Sequence, residues 1–127
     1  MIKKVKLPLI GVGRANTIHK SSNMGYPTEN RVLIAVPADP ELKVGGLYIP
    51  NQNKEDIPRK GVIVQMGFIT EEYLTYRELK VGDIITYGMY AGKEIEPPIP
   101  EDIDTTDLKF YVLSLSEIIY IEHNFNE

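Results

Sequence analysis

The sequence contains no cysteine, which excludes disulfide bonds, thiolate zinc sites and cysteine nucleophiles. Histidine is scarce as well, since His19 and His123 are the only two. Neither histidine has neighbouring carboxylate and serine residues in the pattern of a catalytic triad, and we expect both at the protein surface. These absences predict that the protein is not an enzyme and needs no cofactor.

Long apolar runs are also absent, because the longest ones fall far short of the roughly 20 residues that a membrane helix needs. The apolar stretch Leu7 to Gly13 follows three lysines, but Arg14 interrupts it too early for the apolar region of a secretory signal. We therefore expect a cytoplasmic protein with no membrane partner.

Positive charge is in short supply over most of the chain. Of 14 basic and 18 acidic residues, residues 1–28 carry five basic and no acidic ones, so the remainder carries nine basic and eighteen acidic residues. A nucleic-acid-binding protein normally gathers lysine and arginine on one face, so this acidic body argues against a nucleic-acid partner. We expect the basic segment to lie against acidic protein surface, either its own or that of a neighbouring copy.

The stretch from Ile95 to Asp107 is acidic and rich in proline, which makes it too stiff and polar for a core. It lacks the glycine and the final glutamate of a calcium-binding loop. We interpret it as a solvated loop and expect no metal site.

The pattern of short apolar runs predicts the fold class. The chain has 127 residues, of which 43% are hydrophobic, enough for one domain with its own core. No stretch keeps a helical period beyond a turn or two, and the window 68–79 fits either one helical turn or a short hairpin. Short β-rich runs alternate with glycine and proline turns, at residues 31–36, 61–67, 84–87, 108–115 and 118–121. This predicts an all-β fold, a small barrel or sandwich.

The predicted domain organisation has two parts. Residues 26–127 form the β domain, and residues 1–25 form a basic N-terminal extension. The second half of the extension, from Ala15 to Tyr26, contains serine, asparagine and glycine, and we interpret it as a flexible tether.

The stretch from Lys43 to Gly61 permits two interpretations. Gly45 and Gly46 precede the apolar tripeptide Leu47, Tyr48 and Ile49, and a polar run flanked by prolines follows. The glycines and the polar run favour a mobile loop of about residues 43–61 that offers an exposed apolar clip to a partner. A glycine pair between apolar runs is also typical of a hairpin turn, in which the tripeptide would be ordinary core. These residues alone leave both interpretations open.

The order of six short motifs along the chain resembles the GroES-type co-chaperonins of the chaperonin-10 family. The resemblance covers roughly residues 27 to 123, and each motif alone is weak. The motifs are Arg31-Val32, Gly45-Gly46 with its tripeptide, Arg59-Lys60-Gly61-Val62, Lys80-Val81-Gly82-Asp83-Ile84, Tyr90-Ala91-Gly92-Lys93 and Ser114-Leu115-Ser116-Glu117-Ile118.

The resemblance implies a small GroES-like β-barrel with a mobile loop, in a protein that is not an enzyme. Family members form seven-fold rings that cap a GroEL-type chaperonin in its nucleotide-bound state and enclose a client protein. The implied chaperonin contacts are Gly45, Gly46, Leu47, Tyr48 and Ile49, with Leu47 and Ile49 as anchors in the apical-domain groove. The resemblance further implies that Tyr90 faces the dome interior and that Ile118, Ile119, Tyr120 and Ile121 join neighbouring subunits.

The chain departs from the family pattern in three places: residues 1–25 are additional, the piece from Gly67 to Lys80 is short, and residues 97–107 are an insertion. Such departures are similar to those of co-chaperonins encoded by bacteriophages, which would act in the host cytoplasm.

Two other hypotheses remain open. One is a viral structural or assembly barrel, and the other is a nucleic-acid-binding barrel that stacks bases on Tyr73, Tyr76, Tyr87 and Tyr90.

Overall fold

The computed structural model describes residues 10–20, 25–38, 58–88 and 90–123. Six strands and one short α-helix are its main elements, and this confirms the all-β fold class. In chain order the elements are α1 Val12–His19, β1 Arg31–Pro37, β2 Pro58–Met66, a 3₁₀ segment Glu71–Glu78, β3 Ile84–Gly88, β4 Lys93–Ile95, β5 Leu108–Ser114, a 3₁₀ turn Leu115–Glu117 and β6 Ile118–Glu122.

The six strands form one antiparallel sheet in the order β4-β5-β1-β2-β3-β6. β1 pairs along its whole length with β5, from Arg31 opposite Ser114 to Pro37 opposite Leu108. The sequence predicted five of these strands and missed β4, whose three residues are all exposed and therefore show no alternation of apolar and polar side chains.

Both faces of the central strands are buried. Val32 and Ile34 of β1 pack on one face with Ile63 and Leu113, whereas Leu33 packs on the other face with Val64, Phe110 and neighbouring residues. Successive side chains of a strand point to opposite faces, so β1 needs apolar residues at every position from 32 to 36. This explains its uninterrupted apolar run.

Helix α1 covers the second face of the sheet. Ala15 and Ile18 of the helix are completely buried and pack in the same cluster as Val62 and Val64. The interpretation of the chain from Ala15 onward as a flexible tether is therefore wrong up to His19. A helix of eight residues is too short to be stable alone, and its stability comes from burying these two side chains. The division into residues 1–25 and 26–127 stays a prediction.

The proline-rich stretch also differs from its prediction. Ile99 and Ile103 are half-buried and pack against the same cluster as α1, so this stretch is not wholly outside the core. Arg14 of α1 forms an ion pair with Asp107, and this confirms for Arg14 that the basic segment lies against acidic surface of its own chain.

The window 68–79 is helical rather than a hairpin. Its 3₁₀ segment, Glu71–Glu78, is interrupted at Tyr73, where φ is −118° and ψ is 34°. A tight turn at residues 80–83 follows, and in it the Lys80 backbone N–H donates to Asp83 Oδ2 over 2.9 Å. Within the described ranges, no helix has the length and apolar character needed to cross a membrane.

The docking of α1 can be tested by removing one buried side chain. Ile18 is fully buried, so Ile18→Ala should lower the free energy of unfolding by about 2 to 5 kcal/mol, measured by urea denaturation at fixed protein concentration. Thr17→Ala is the matched control on the same helix, because Thr17 is exposed and its hydroxyl only donates to Gly13 O. The control should stay within about 0.5 kcal/mol of the wild type. Equal stability of the two variants would contradict the docking.

Candidate functional site

The predicted partner-binding residues, Gly45, Gly46, Leu47, Tyr48 and Ile49, lie outside the described residues. The structure does describe the two strands on either side of them. β1 ends at Pro37 and β2 begins at Pro58, and the two strands are antiparallel neighbours. The chain therefore leaves and re-enters the sheet at the same end, between β1 and β2.

A backbone hydrogen bond fixes the position at which the chain leaves the sheet after β1. Ala38, one residue beyond β1, donates its N–H to Asp107 O over 2.8 Å. At the point of return, Pro58 is the first residue of β2 and lies opposite Gly88. Proline suits the first position of a strand, since the missing donor costs no ladder bond there.

Strand β6 forms an apolar edge of the sheet. Its only strand neighbour within the described part of the chain is β3, so one row of its backbone groups faces away from the sheet. Ile119 and Tyr120 are 66% and 61% exposed, whereas Ile118 is buried and Ile121 packs partly against the core. An edge strand that exposes apolar side chains is a template for association with another chain.

The 3₁₀ turn before β6 is fixed by a capping box. The Ser114 backbone N–H donates to Glu117 Oε1 over 2.9 Å, and the Ser114 side chain caps the start of the turn. Leu115 N–H donates to Asn30 O over 2.9 Å, which joins the turn to the residue before β1. These bonds set the direction in which β6 begins.

Tyr90 lies on the turn between β3 and β4 and is 67% exposed. Gly92 sets the shape of this turn, with a φ of +84° and with Leu113 Cδ2 only 2.6 Å from where a Cβ would lie. A side chain at this position would be strained as well as crowded. The predicted role of Tyr90 in a dome interior stays a prediction.

The two histidines lie in different parts of the described structure, and each contacts an oxygen atom of another element or turn. His19 is half-buried rather than at the surface, and its Nδ1 lies 3.2 Å from Val64 O. His123 is exposed, and its Nδ1 lies 3.0 Å from Asp83 Oδ2. Across the described ranges, no group of three or more His, Asp or Glu residues is placed to hold a metal ion.

Two acidic residues of the proline-rich stretch accept hydrogen bonds from other residues of the chain. Asp104 accepts hydrogen bonds from the backbone N–H and the hydroxyl of Thr106, and these bonds lower the pKa of the Asp104 carboxyl. The hydrogen bond from Arg14 lowers the pKa of the Asp107 carboxyl.

The arrangement of tyrosines argues against the base-stacking hypothesis. Tyr87 is only 2% exposed, and this burial raises its pKa to about 12. Tyr73 and Tyr76 contact each other edge to face, with ring centroids 5.9 Å apart, and both pack partly against the core. Of the four tyrosines in that hypothesis, Tyr90 alone has its ring largely in solvent.

Two exposed apolar side chains were not anticipated from the sequence. Phe68 follows β2 and is 69% exposed, and Leu74 on the 3₁₀ segment is about half exposed. The pattern of this window did not distinguish a helix from a hairpin, so the side chains that face outward could not be assigned. The position of Phe68 directly after Gly67 was the one signal available.

These features define a class: a small antiparallel β protein with an apolar edge strand and with a long connection leaving one end of its sheet. Residues 25–120 match the family model Cpn10, described as the chaperonin 10 Kd subunit. The chain belongs to this chaperonin-10 family. The match confirms the resemblance, whose expected range of 27 to 123 agrees with it to within three residues at each end.

Similar curated proteins carry the name co-chaperonin GroES. The relative from Parabacteroides distasonis is 46% identical over 70 residues, which cover 55% of this chain and 75% of that protein. The relative from Bacteroides thetaiotaomicron is 43% identical over 70 residues, covering 55% of this chain and 74% of that protein. The relative from Thermodesulfovibrio yellowstonii is 29% identical over 96 residues, which span 75% of this chain and 92% of that protein.

The turn that carries Tyr90 gives a direct test of its geometry. Gly92→Ala should lower the free energy of unfolding by about 1 to 3 kcal/mol, because alanine disfavours the positive φ and its Cβ would crowd Leu113. Gly88→Ala is the matched control, since nothing lies within 4 Å of the place that a Cβ would occupy there. Urea denaturation of both variants measures the difference, and a tolerated Gly92→Ala would show that the turn differs from the one described.

Proposed function

We propose that this protein is a co-chaperonin, which assembles into a ring and caps a chaperonin in its nucleotide-bound state so that a client protein folds inside. The observation that carries the proposal is the family match over residues 25–120, a range that contains β1 to β5 and the first half of β6. The relatives named co-chaperonin GroES support it. The role requires no catalytic group, and we place it in the cytoplasm, or in a host cytoplasm if the protein is viral.

The chaperonin-binding residues of this proposal are Gly45, Gly46, Leu47, Tyr48 and Ile49, and the partner is the apical domain of a GroEL-type chaperonin. Burying Leu47 and Ile49 would contribute about 1.5 to 3 kcal/mol each. Ordering the backbone around them costs about 1 to 2 kcal/mol per residue, so one segment would bind weakly. Several segments on one ring act at a high effective concentration and together give a firm but reversible cap.

The ring of this proposal has seven subunits joined through β6. The edge of the strand supports this role, because within the described residues no strand lies beside β6 on the side away from β3, and the side chains of Ile119 and Tyr120 are exposed. Ile118 and Ile121 lie against the subunit's own core and hold the strand in place. In the assembled dome, Tyr90 would face the enclosed space.

The apolar clip can be tested with a double substitution. Leu47→Ser with Ile49→Ser should abolish inhibition of a GroEL-type chaperonin ATPase and nucleotide-dependent comigration with that chaperonin, because both apolar anchors are lost. The oligomer should keep its native mass. A double variant that still caps the chaperonin would show that other residues make the contact.

The subunit interface can be tested by placing charge on the β6 edge. Seven copies of the 14.4 kDa chain come to roughly 100 kDa, the native mass expected for the wild type. Ile119→Lys with Tyr120→Lys should reduce this mass to that of smaller species, since an apolar contact between subunits would then bury two charges. Ile95→Lys on β4, the opposite edge of the sheet, is the control and should leave the ring intact. Native mass spectrometry decides, and an intact ring of the double variant would exclude this edge as the interface.

A further inference from the structure

Arg14 of α1 binds the end of the proline-rich stretch through both terminal nitrogens of its guanidinium group. Its Nη2 lies 2.7 Å from Asp107 Oδ1, and its Nη1 donates to Asp107 Oδ2 over 3.0 Å. Nη2 also donates to the backbone oxygen of Asp104 over 3.0 Å. A two-pronged contact of this kind fixes orientation as well as distance. It therefore binds the Asp104–Asp107 turn at two places, the backbone of Asp104 and the carboxylate of Asp107.

The backbone of Asp107 in turn holds the end of β1. Its carbonyl oxygen accepts the N–H of Ala38 over 2.8 Å, one step beyond the last β1–β5 pair, Pro37 opposite Leu108. Ala38 is the last described residue before the predicted partner-binding residues. Arg14, Asp107 and Ala38 thus form an unbroken chain of contacts from the N-terminal helix to the point where the chain leaves the sheet.

The opposite end of α1 is anchored at an irregularity in β2. Leu33 pairs with Gln65 and Ile34 with Ile63, so Val64 has no partner residue on β1. Val64 O lies 3.2 Å from His19 Nδ1, and because a carbonyl can only accept, this ring nitrogen is the donor. Gln65 Nε2 donates to His19 O over 3.2 Å. A β-bulge leaves one residue out of the strand pairing, and here the carbonyl oxygen of Val64 and the side chain of Gln65 contact the end of the helix.

The helix is consequently held at both ends and through its middle. Ala15 and Ile18 are buried against the sheet between Arg14 and His19. A helix fixed in this way limits the movement of Arg14, because a shift of the helix away from the sheet would expose Ala15 and Ile18.

We propose that α1 and the Asp104–Asp107 turn form a brace that fixes the end of β1, and that Arg14 is a positioning residue for the chaperonin-binding residues beyond it. The effect on chaperonin binding rests on the proposed function, whereas the effect on Ala38 does not. Pinning one end of a connecting segment reduces the conformational freedom that is lost on binding. If loss of the brace lowers the affinity of each segment about twofold, the affinity of a ring with seven copies falls by about a hundredfold.

The test compares Arg14→Gln, Asp107→Asn and Arg14→Lys in the full-length protein. Hydrogen–deuterium exchange of the Ala38 amide, read by mass spectrometry, should speed up by about three- to fivefold in the first two variants, as expected for loss of a partly exposed ion pair. Arg14→Lys should lie between them and the wild type, because lysine keeps the charge but not the two-pronged contact. In 1 M salt the difference between wild type and Arg14→Gln should shrink, since salt screens the pair.

Affinity for a GroEL-type chaperonin is measured on the same samples, with native mass as the check that the oligomer is unchanged. Arg14→Gln should bind at least about tenfold more weakly than the wild type. Lys20→Gln is the matched control, since Lys20 is an exposed residue at the end of the same helix and should behave as wild type in both assays.

Two results would overturn the inference. One is an Ala38 exchange rate in Arg14→Gln equal to that of the wild type. The other is faster exchange together with unchanged affinity, which would remove the positioning role. A wild-type protein that binds no chaperonin would instead refute the proposed function, and the exchange rates would still decide whether the brace exists.

Discussion

The central strand β1 is the constraint on which the rest of the structure depends. It pairs with β5 along its whole length and with β2 on its other side, and five consecutive residues are buried. A strand paired on both sides and covered on both faces tolerates little change in register, because a shift of one residue would exchange its two apolar faces. Everything that bears on function is therefore placed relative to β1: the exit at Ala38, the helix across the sheet and the capped turn before β6.

The features that were expected to be additions to the family pattern are part of this frame. α1 comes from the N-terminal extension and Asp107 from the proline-rich insertion, and the two meet in one ion pair. Ala15 and Ile18 of α1, together with Ile99 and Ile103 of the insertion, pack in the cluster on the second face of the sheet. The N-terminal extension and the proline-rich insertion are separate additions in the sequence, but they are in contact in the structure.

The sequence predicted those parts of the fold that depend on local pattern, and it missed those that depend on tertiary contact. β1 and β5 were visible because their apolar runs are long. α1 was not, since Gly13 and Asn16 have poor helix propensity and the helix is stabilised by the sheet beneath it. Ile99 and Ile103 were hidden among prolines and acidic residues, whose composition suggested an exposed loop.

The candidate site shows the same division. Residues 45–49 were predicted as partner-binding residues from a resemblance and from their glycines and apolar side chains, a pattern that left a hairpin equally open, and this stays a prediction. The run Ile118 to Ile121 is apolar throughout, so no pattern could tell which side chains would be exposed. That depends on the pairing of β6 with β3, whose register shifts between Thr86 and Tyr87.

The two outer strands of the sheet differ in a way that gives the subunit a direction. β6 has five residues and exposes the apolar side chains of Ile119 and Tyr120, whereas β4 has three residues that include Lys93 and Glu94 and is soon followed by two prolines. Short, charged strands near proline resist recruitment by foreign strands. Within the described residues, the two borders of the sheet therefore differ, one apolar and one charged, and this asymmetry disfavours endless side-by-side stacking of sheets into fibrils.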